Sequence, residues 1–360
     1  MKIKIKFLPA PQKCQLVIRD GALSDAGNII QALIPSQVFV LTNATLNKRH
    51  YPKLKAGLVS SGLKLAPAIV IENGERYKNL KSLKHCYDFL AEQKADRQSL
   101  LITLGGGGIT DLGGVVAATY MRGIRLVHIP TTLLAQVDAA IGGKTAVNHR
   151  RAKNIIGTFY HPILVLIDPL TLATLDQRQY LNGLVEVIKI GLVASPSLFK
   201  FIESNRGRIL VKRKTVLTRI IKAAVRRKLE IVRRDPTEQG FRRILNFGHT
   251  FAHALETRQG YRNLLHGEAV CLGMLVALKL SADLKLGSCE TLGRVKNLLE
   301  AVKLPTKVKK PDAKALWQIM ALDKKSGYGR INFMLLEKIG KPILKSVRFE
   351  QFEQAVEVLN

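Results

Sequence analysis

The sequence lacks any apolar run of the roughly 18–20 residues needed to span a bilayer, so no membrane partner is expected. It also lacks paired cysteines. Cys14, Cys86, Cys271 and Cys289 are scattered with no CxxC spacing, which argues against a disulfide framework and against a thiolate zinc site. Aromatic residues make up only 6%. With no zinc-finger spacing, no RNP-like motif and no basic tail, the usual nucleic-acid modules are missing. The opening MKIKIKFLPA alternates lysine with apolar residues. That suits a first strand and lacks the continuous apolar stretch of a signal peptide, so the expected address is the cytoplasm. Acidic charge is scarce as well: 57 Lys plus Arg against 27 Asp plus Glu leaves +30. A field of that sign attracts phosphates, in a nucleic acid or in a small substrate. The runs RGRILVKRK (206–214) and AVRRKLEIVRR (224–234) could line a nucleic acid. Without a binding module they read as solvated helix faces, and no nucleic-acid partner is expected.

What is present is a globular composition, with 360 residues, 47% hydrophobic and 23% charged, enough for two domains with buried cores. Apolar runs at 37–41, 68–71, 100–104, 124–129 and 163–168 alternate with helix-patterned stretches such as 79–93. Strands alternating with helices predict a mainly parallel sheet covered on both faces, with ligands beyond the carboxyl ends of its strands. After about residue 170 the pattern becomes helical, in LVEVIKIGLV, TVLTRIIKAAVRRKLEIV and EAVCLGMLVALKLSADL. Only INFMLL (331–336) resembles a strand there. The expected fold is therefore α/β. A Rossmann-like nucleotide-binding domain over 1–170 precedes a mainly α-helical metal- and substrate-binding domain over 171–360, with the site in the cleft between them.

Three constellations carry chemistry. Strand 100–104 runs into Gly105-Gly106-Gly107-Gly108-Ile109-Thr110-Asp111 and a helical pattern. Four consecutive glycines exceed what a turn requires and let helix N-terminal amides approach a phosphate. This is not the GxGxxG fingerprint. Next, Pro130 through Asp138 leads to Ile141-Gly142-Gly143-Lys144-Thr145, a lysine in an anion-contact setting without Walker spacing. In the helical half, Glu186 and Lys189 share a helix face. His249 and His253 stand four apart, and His266 precedes an apolar helix. Two imidazoles, a carboxylate and an open position make a catalytic zinc arrangement, although spacing does not choose among the three histidines.

These residues resemble a known family. GGGGITDLGG, MRG, PTTLLAQVDAAIGGKTAVNH, AKNIIGTFY, GLVEVIK, QGFRRILNFGHTFAHALE, LLHGEAV and DKK occur in the order found in 3-dehydroquinate synthases, from Asn43 through Lys325 and including NGERYKNL. The resemblance implies one NAD and one divalent ion, zinc with cobalt as the alternative. It implies the substrate 3-deoxy-D-arabino-heptulosonate 7-phosphate, oxidised transiently, stripped of phosphate, re-reduced and closed by an intramolecular aldol step. Glu186, His249 and His266 match the metal ligands, and His253 a histidine near the departing phosphate. Lys228 and Arg242 match the carboxylate-binding pair. Lys144, Asn154, Lys189 and Asn246 match contacts to substrate hydroxyls and phosphate, Asp138 a hydroxyl partner, and Lys325 or Lys324 a further phosphate contact. Arg122 matches an arginine reaching the neighbouring subunit's phosphate, which implies a homodimer. For NAD the matches are Asn43, Glu75, Lys78, Gly106, Gly107, Asp111, Thr131, Thr132, Lys153 and Thr174, with Lys144 close to both groups.

Three positions depart from the family pattern. DSSVGGK reads Asp138-Ala139-Ala140-Ile141-Gly142-Gly143-Lys144, AE reads Val185-Glu186, and TLPxRE reads Thr174-Leu175-Asp176-Gln177-Arg178-Gln179. None removes a matched ligand. Related cyclases acting on sedoheptulose 7-phosphate or glucose 6-phosphate have no substrate carboxylate for Lys228 and Arg242 to bind. An amino-analogue cyclase keeps that carboxylate. An alcohol dehydrogenase would release NADH.

Overall fold

The computed structural model describes residues 13–150, 152–260, 264–308, 311–323 and 329–360. The strand expected in MKIKIKFLPA and the pair Lys324 and Lys325 lie outside the described residues. Contacts divide the chain into two compact units, residues 1–130 with 143–168, and residues 131–142 with 169–360. The segment from Thr131 to Gly142, which the sequence reading puts in the first domain, thus packs with the second unit.

The first unit begins with β1 (Gln15–Ile18), α1 (Ala26–Gln31), β2 (Val38–Asn43), α2 (Ala44–Arg49) and α3 (Tyr51–Ser60). It continues through β3 (Ile69–Ile71), α4 (Leu80–Glu92), β4 (Leu100–Gly105), α5 (Gly107–Thr119) and β5 (Arg125–Pro130). A hairpin, β6 (Lys144–His149) and β7 (Ala152–Phe159), and a last strand β8 (Leu164–Ile167) complete it. Six strands pair in parallel in the order β1-β8-β5-β4-β2-β3. The period of two sorts their side chains. Val38, Val40, Leu100 and Ile102 join a core with Leu54 and Leu58 of α3. Phe39, Leu41 and Leu101 face the other way, onto Leu112 and Val116 of α5 and Leu90 of α4. The helix read at 79–93 is α4, whose Asn79 side chain caps it by accepting from the Ser82 amide at 3.0 Å.

The second unit strings together α6 (Gln177–Ala194), α7 (Pro196–Leu210), α8 (Lys214–Arg234), α9 (His249–Arg258) and α10 (His266–Asp283). Then come α11 (Cys289–Ala301), α12 (Ala313–Asp323), β9 (Arg330–Lys338), β10 (Lys341–Arg348) and α13 (Phe349–Val356). Helix α10 is apolar nearly all round because it packs against α6, α9, α11, α13 and β9. The strand expected in 331–336 is β9, but it is not alone. Residues 341–348 form β10, paired antiparallel with it. Pro342 and a mostly exposed burial pattern hide that strand from period-two reading. The β6–β7 hairpin escapes notice for the same reason, since β7 is largely exposed.

His128 tests the first unit's core. It lies opposite Thr103 in the β4–β5 register, is buried, and its Nδ1 is 2.6 Å from the Thr103 hydroxyl. Burial pulls its pKa down to about 3, so the folded protein holds it neutral while the unfolded chain protonates near 6.5. Its contribution to stability is full above pH 6.5 and is lost as pH falls from there towards 3. Thermal melting followed from pH 7.5 to 4.5 should therefore fall more steeply for the native chain than for His128→Gln. Parallel pH profiles would refute this account of the buried ring.

Candidate active site

In the second unit the chemistry gathers around α6. Asn182, Glu186 and Lys189 share its buried face at helical spacing. Glu186 is fully buried, and neither carboxylate oxygen has a hydrogen-bond partner. The Lys189 ammonium forms an ion pair with Oε2. His249 Nε2 and His266 Nε2 each stand 3.8 Å from Oε1. The three imidazoles form a triangle, with ring centres 5.5 Å (249–253), 5.2 Å (249–266) and 6.2 Å (253–266) apart.

The rings of His249 and His266 are placed by their helix ends. His249 opens α9 after Gly248, whose φ is +80°. Its Nδ1 lies 3.2 Å from the Phe247 carbonyl. His266 opens α10, and that terminus is pinned twice. The Glu268 carboxylate accepts from the Leu265 amide at 2.9 Å and from the Arg178 fork at 2.7 and 2.8 Å. Asn182 Oδ1 accepts from the Gly267 amide at 2.5 Å. A Cβ at Gly267 would overlap the Asn182 backbone, so glycine is required there. Burial, then the Lys189 charge, hold His249 well below the usual imidazole range. Burial also pulls on His266, but the Glu256 hydrogen bond and the Glu256 and Glu186 charges outweigh it and the shift is upward. An uncapped buried carboxylate facing two imidazole nitrogens, with ligand atoms all within 4.8 Å of one another, fits a divalent ion with an open coordination position.

A cationic group adjoins this cluster. Lys228 comes from the apolar face of α8, is buried, and donates to the Asp138 carboxylate and, at 2.7 Å, to the Asp138 carbonyl. Asp138 sits in a π-helical turn, Ala135–Ala139, an irregularity frequent at functional sites. Burial opposes ionisation of Asp138, yet the charges of Lys228 and Lys189 hold it below the usual carboxylate range. Burial lowers Lys228 in spite of Asp138. Arg242 is buried too, and its Nη1 donates to the carbonyls of Gly142 at 3.0 Å and Pro236 at 2.8 Å. Glu238, held at φ +60°, accepts from Asn246 at 2.8 Å and stands 3.8 Å from Arg242 Nε.

The first unit gathers a second set. Beyond the carboxyl ends of β3, β2 and β4 stand Glu75 and Lys78, Asn43, and Gly106 and Gly107. Lys78 is buried, binds Glu75 at 2.9 Å and Asp111 at 3.0 Å, and donates to Asn154 Oδ1 at 2.6 Å. Burial lowers its affinity for protons, but those two carboxylates raise the net value. Asn148 donates to Glu75 at 2.8 Å. Helix α5 starts at the glycines with no side-chain cap and no acid in its first turn. Its N-terminal amides therefore remain for an anion, which fits a dinucleotide phosphate. In the second unit, the Thr131 hydroxyl is buried without a partner.

Local structure places the remaining matched residues, and Asn43 as well. Asn43 caps α2 by accepting from the Leu46 amide at 3.0 Å. Thr132 accepts from the Ala135 amide at 3.2 Å, and Thr174 donates to the Thr171 carbonyl at 3.2 Å. Lys144 begins β6, and Lys153 is the second residue of β7. Arg122 lies on an exposed turn. Asn182, Glu238, Glu256 and Asn148 were not singled out by sequence reading. For the first three the available signal was i,i+3 or i,i+4 spacing from Glu186, Arg242 and His253.

Comparison with known proteins supplies the remaining facts. Residues 68–182 match the family model for the N-terminal part of 3-dehydroquinate synthase, and residues 183–326 that for its C-terminal part. The 3-dehydroquinate synthase of Nitrosospira multiformis is 40% identical over 339 residues, covering 94% of this chain and 92% of its own. That of Dichelobacter nodosus is 45% identical over 305 residues, covering 84% and 82%. Among solved structures, a 2-epi-5-epi-valiolone synthase from Streptomyces hygroscopicus, holding NAD+ and Zn2+, superposes with a TM-score of 0.91 at 29% identity, covering 99% of each chain. A 2-deoxy-scyllo-inosose synthase complexed with carbaglucose-6-phosphate, NAD+ and Co2+ reaches 0.86 at 25% identity, covering 96% and 98%.

The Arg242 seat depends on Gly142, whose φ is +110° and whose added Cβ would strike the guanidinium. Gly142→Ala should cost about 1–3 kcal/mol in chemical denaturation, from backbone strain and overpacking together. The control Gly207→Ala, with open space at its Cβ, should be neutral or slightly stabilising. Equal stability of the two variants would show that Arg242 moves aside freely.

Proposed function

The chain belongs to the 3-dehydroquinate synthase family, and we propose that Glu186, His249 and His266 hold its metal while Lys228 and Arg242 hold the substrate carboxylate. Its reaction turns 3-deoxy-D-arabino-heptulosonate 7-phosphate into 3-dehydroquinate and phosphate. When bound, NAD takes up and returns a hydride, and the divalent ion, zinc or cobalt, supplies a Lewis acid.

The observation that carries the residue assignment is the pairing of an uncapped buried carboxylate with buried cations in one unit. A guanidinium suits a planar carboxylate because it can donate two parallel hydrogen bonds. Two carbonyls already orient that of Arg242. Asp138 favours the charged form of Lys228 against its burial and holds it in place by hydrogen bonds. We assign Lys189, Asn246, Lys144 and Asn154 to substrate hydroxyls and phosphate, with Lys324 or Lys325, which lie outside the described residues, as a further phosphate contact. His253 is exposed on α9 beside the other two imidazoles, placed to move a proton near the departing phosphate. For NAD we assign Asn43, Glu75, Lys78, Gly106, Gly107, Asp111 and Lys153 in the first unit, and Thr131, Thr132 and Thr174 in the second.

We place the enzyme in the cytoplasm. All four cysteines are free, as a reducing compartment requires. Among the described residues no helix is long and apolar enough to cross a membrane. We also propose a homodimer. Met121, Arg122 and Gly123 follow one another at φ +50°, +65° and +123°, a strained exposed turn of a kind kept where function needs it. Arg122 projected from such a turn would serve the neighbouring subunit.

Two experiments test these assignments. Phosphate should appear stoichiometrically with 3-dehydroquinate while absorbance at the NADH band stays flat, and sedoheptulose 7-phosphate and glucose 6-phosphate should not turn over. Lys228→Ala should lower kcat/KM about 10- to 150-fold, the worth of one charged hydrogen bond. Steady NADH release, or an unaffected Lys228 variant, would count against the reading. For the dimer, an Arg122→Ala chain mixed with a Lys189→Ala chain should regain activity, since one site of the mixed dimer is intact. No recovery with subunit exchange confirmed would return Arg122 to its own subunit's site.

A further inference from the structure

We propose that Glu256 is a positioning residue that fixes the tautomer of His266 and strengthens it as a metal ligand, an inference that rests on the assignment of Glu186, His249 and His266 as the metal shell. Two turns beyond His249 on α9, Glu256 is buried, and its Oε2 lies 3.3 Å from His266 Nδ1. A neutral imidazole carries one N–H. A carboxylate at Nδ1 draws that hydrogen to its own side and leaves a lone pair on Nε2, the nitrogen facing Glu186 Oε1 at 3.8 Å.

His249 shows the same orientation with a different partner. Its Nδ1 meets the Phe247 carbonyl at 3.2 Å, and its Nε2 faces the same Glu186 oxygen at 3.8 Å. Both rings therefore present Nε2 to one point. One is backed by a neutral carbonyl and the other by a charge. A carboxylate behind an imidazole raises its basicity and locks its rotation, and loss of such a partner typically weakens metal binding 10- to 100-fold. His266 needs this more than His249 does. The main chain at Leu265 and Gly267 is pinned by Glu268 and Asn182, but those bonds do not restrain the ring.

His253, Glu256 and His266 also place ligand atoms within 4.8 Å of one another. The rival account is thus a second cation held directly by Glu256. The two accounts differ in stoichiometry.

The test measures Co2+ and Zn2+ affinity of the full-length metal-free chain by competition with a chelator of known strength, together with the visible Co2+ spectrum. The native chain should bind one ion, and Glu186→Gln should lose it. Glu256→Gln, which keeps the shape, should bind 10- to 100-fold more weakly with a shifted Co2+ band. Glu256→Asp, which keeps the charge at shorter reach, should fall between the two, and melting of each metal-free variant checks its folding. Native affinity and spectrum in either Glu256 variant, with the ion still lost in Glu186→Gln, would overturn the inference alone. Loss of a second ion with the first unchanged would make Glu256 a ligand and overturn it too. Full binding by Glu186→Gln would instead overturn the metal shell on which the inference rests.

Discussion

Glu186 is the constraint around which the second unit is arranged. A buried carboxylate without hydrogen bonds costs several kcal/mol unless a charge opposes it, and here the Lys189 ammonium does so. The cost is sustained by the packing of α6, whose residues from Tyr180 to Val193 are all buried. Two helix starts, at His249 and His266, then aim imidazoles at the oxygen that Lys189 leaves open. A buried carboxylate faced by two imidazole nitrogens suits a divalent cation.

The first unit works by a different rule. Parallel strands all end on one side, and their loops hold the groups that bind an anion. Lys78, itself buried, binds two carboxylates and an amide. The start of α5 has no side-chain cap, and main-chain amides there suit an anion. The fold here supplies backbone dipoles, whereas the second unit supplies side chains. This difference explains why the first unit's signature is glycine and the second's is histidine and lysine.

Sequence reading works best where burial and periodicity agree. Five apolar runs became five strands of the parallel sheet, and the helix at 79–93 is α4 with its Asn79 cap. It fails where an element is exposed on both faces: β7 and β10 have no two-residue rhythm to detect. Site residues divide along similar lines. His249, His253 and His266 stand out because histidine is rare, with eight in the chain. Glu238 and Glu256 are ordinary glutamates until the fold sets one against Asn246 and the other against His266. The placement of Thr131 to Gly142 with the second unit depends on a π-helical turn that no propensity announces.

Lys228 shows how such a signal can be recovered. The run AVRRKLEIVRR reads as surface charge, and most of it is: Arg226, Arg233 and Arg234 are exposed, as are Arg219 and Lys222 earlier in α8. The buried positions of that helix are Val216, Leu217, Ile220, Ile221, Ala224, Val225, Lys228, Ile231 and Val232, spaced by one, three or four as an apolar face demands. Lys228 alone among the helix's basic residues falls in that register. A lysine costs too much to bury without an anion, so its phase along the helix already implies an acidic partner or ligand. In the fold Asp138 supplies the partner. The abundance of lysine and arginine conceals this residue in composition, and only its register separates it from the other basic residues of α8.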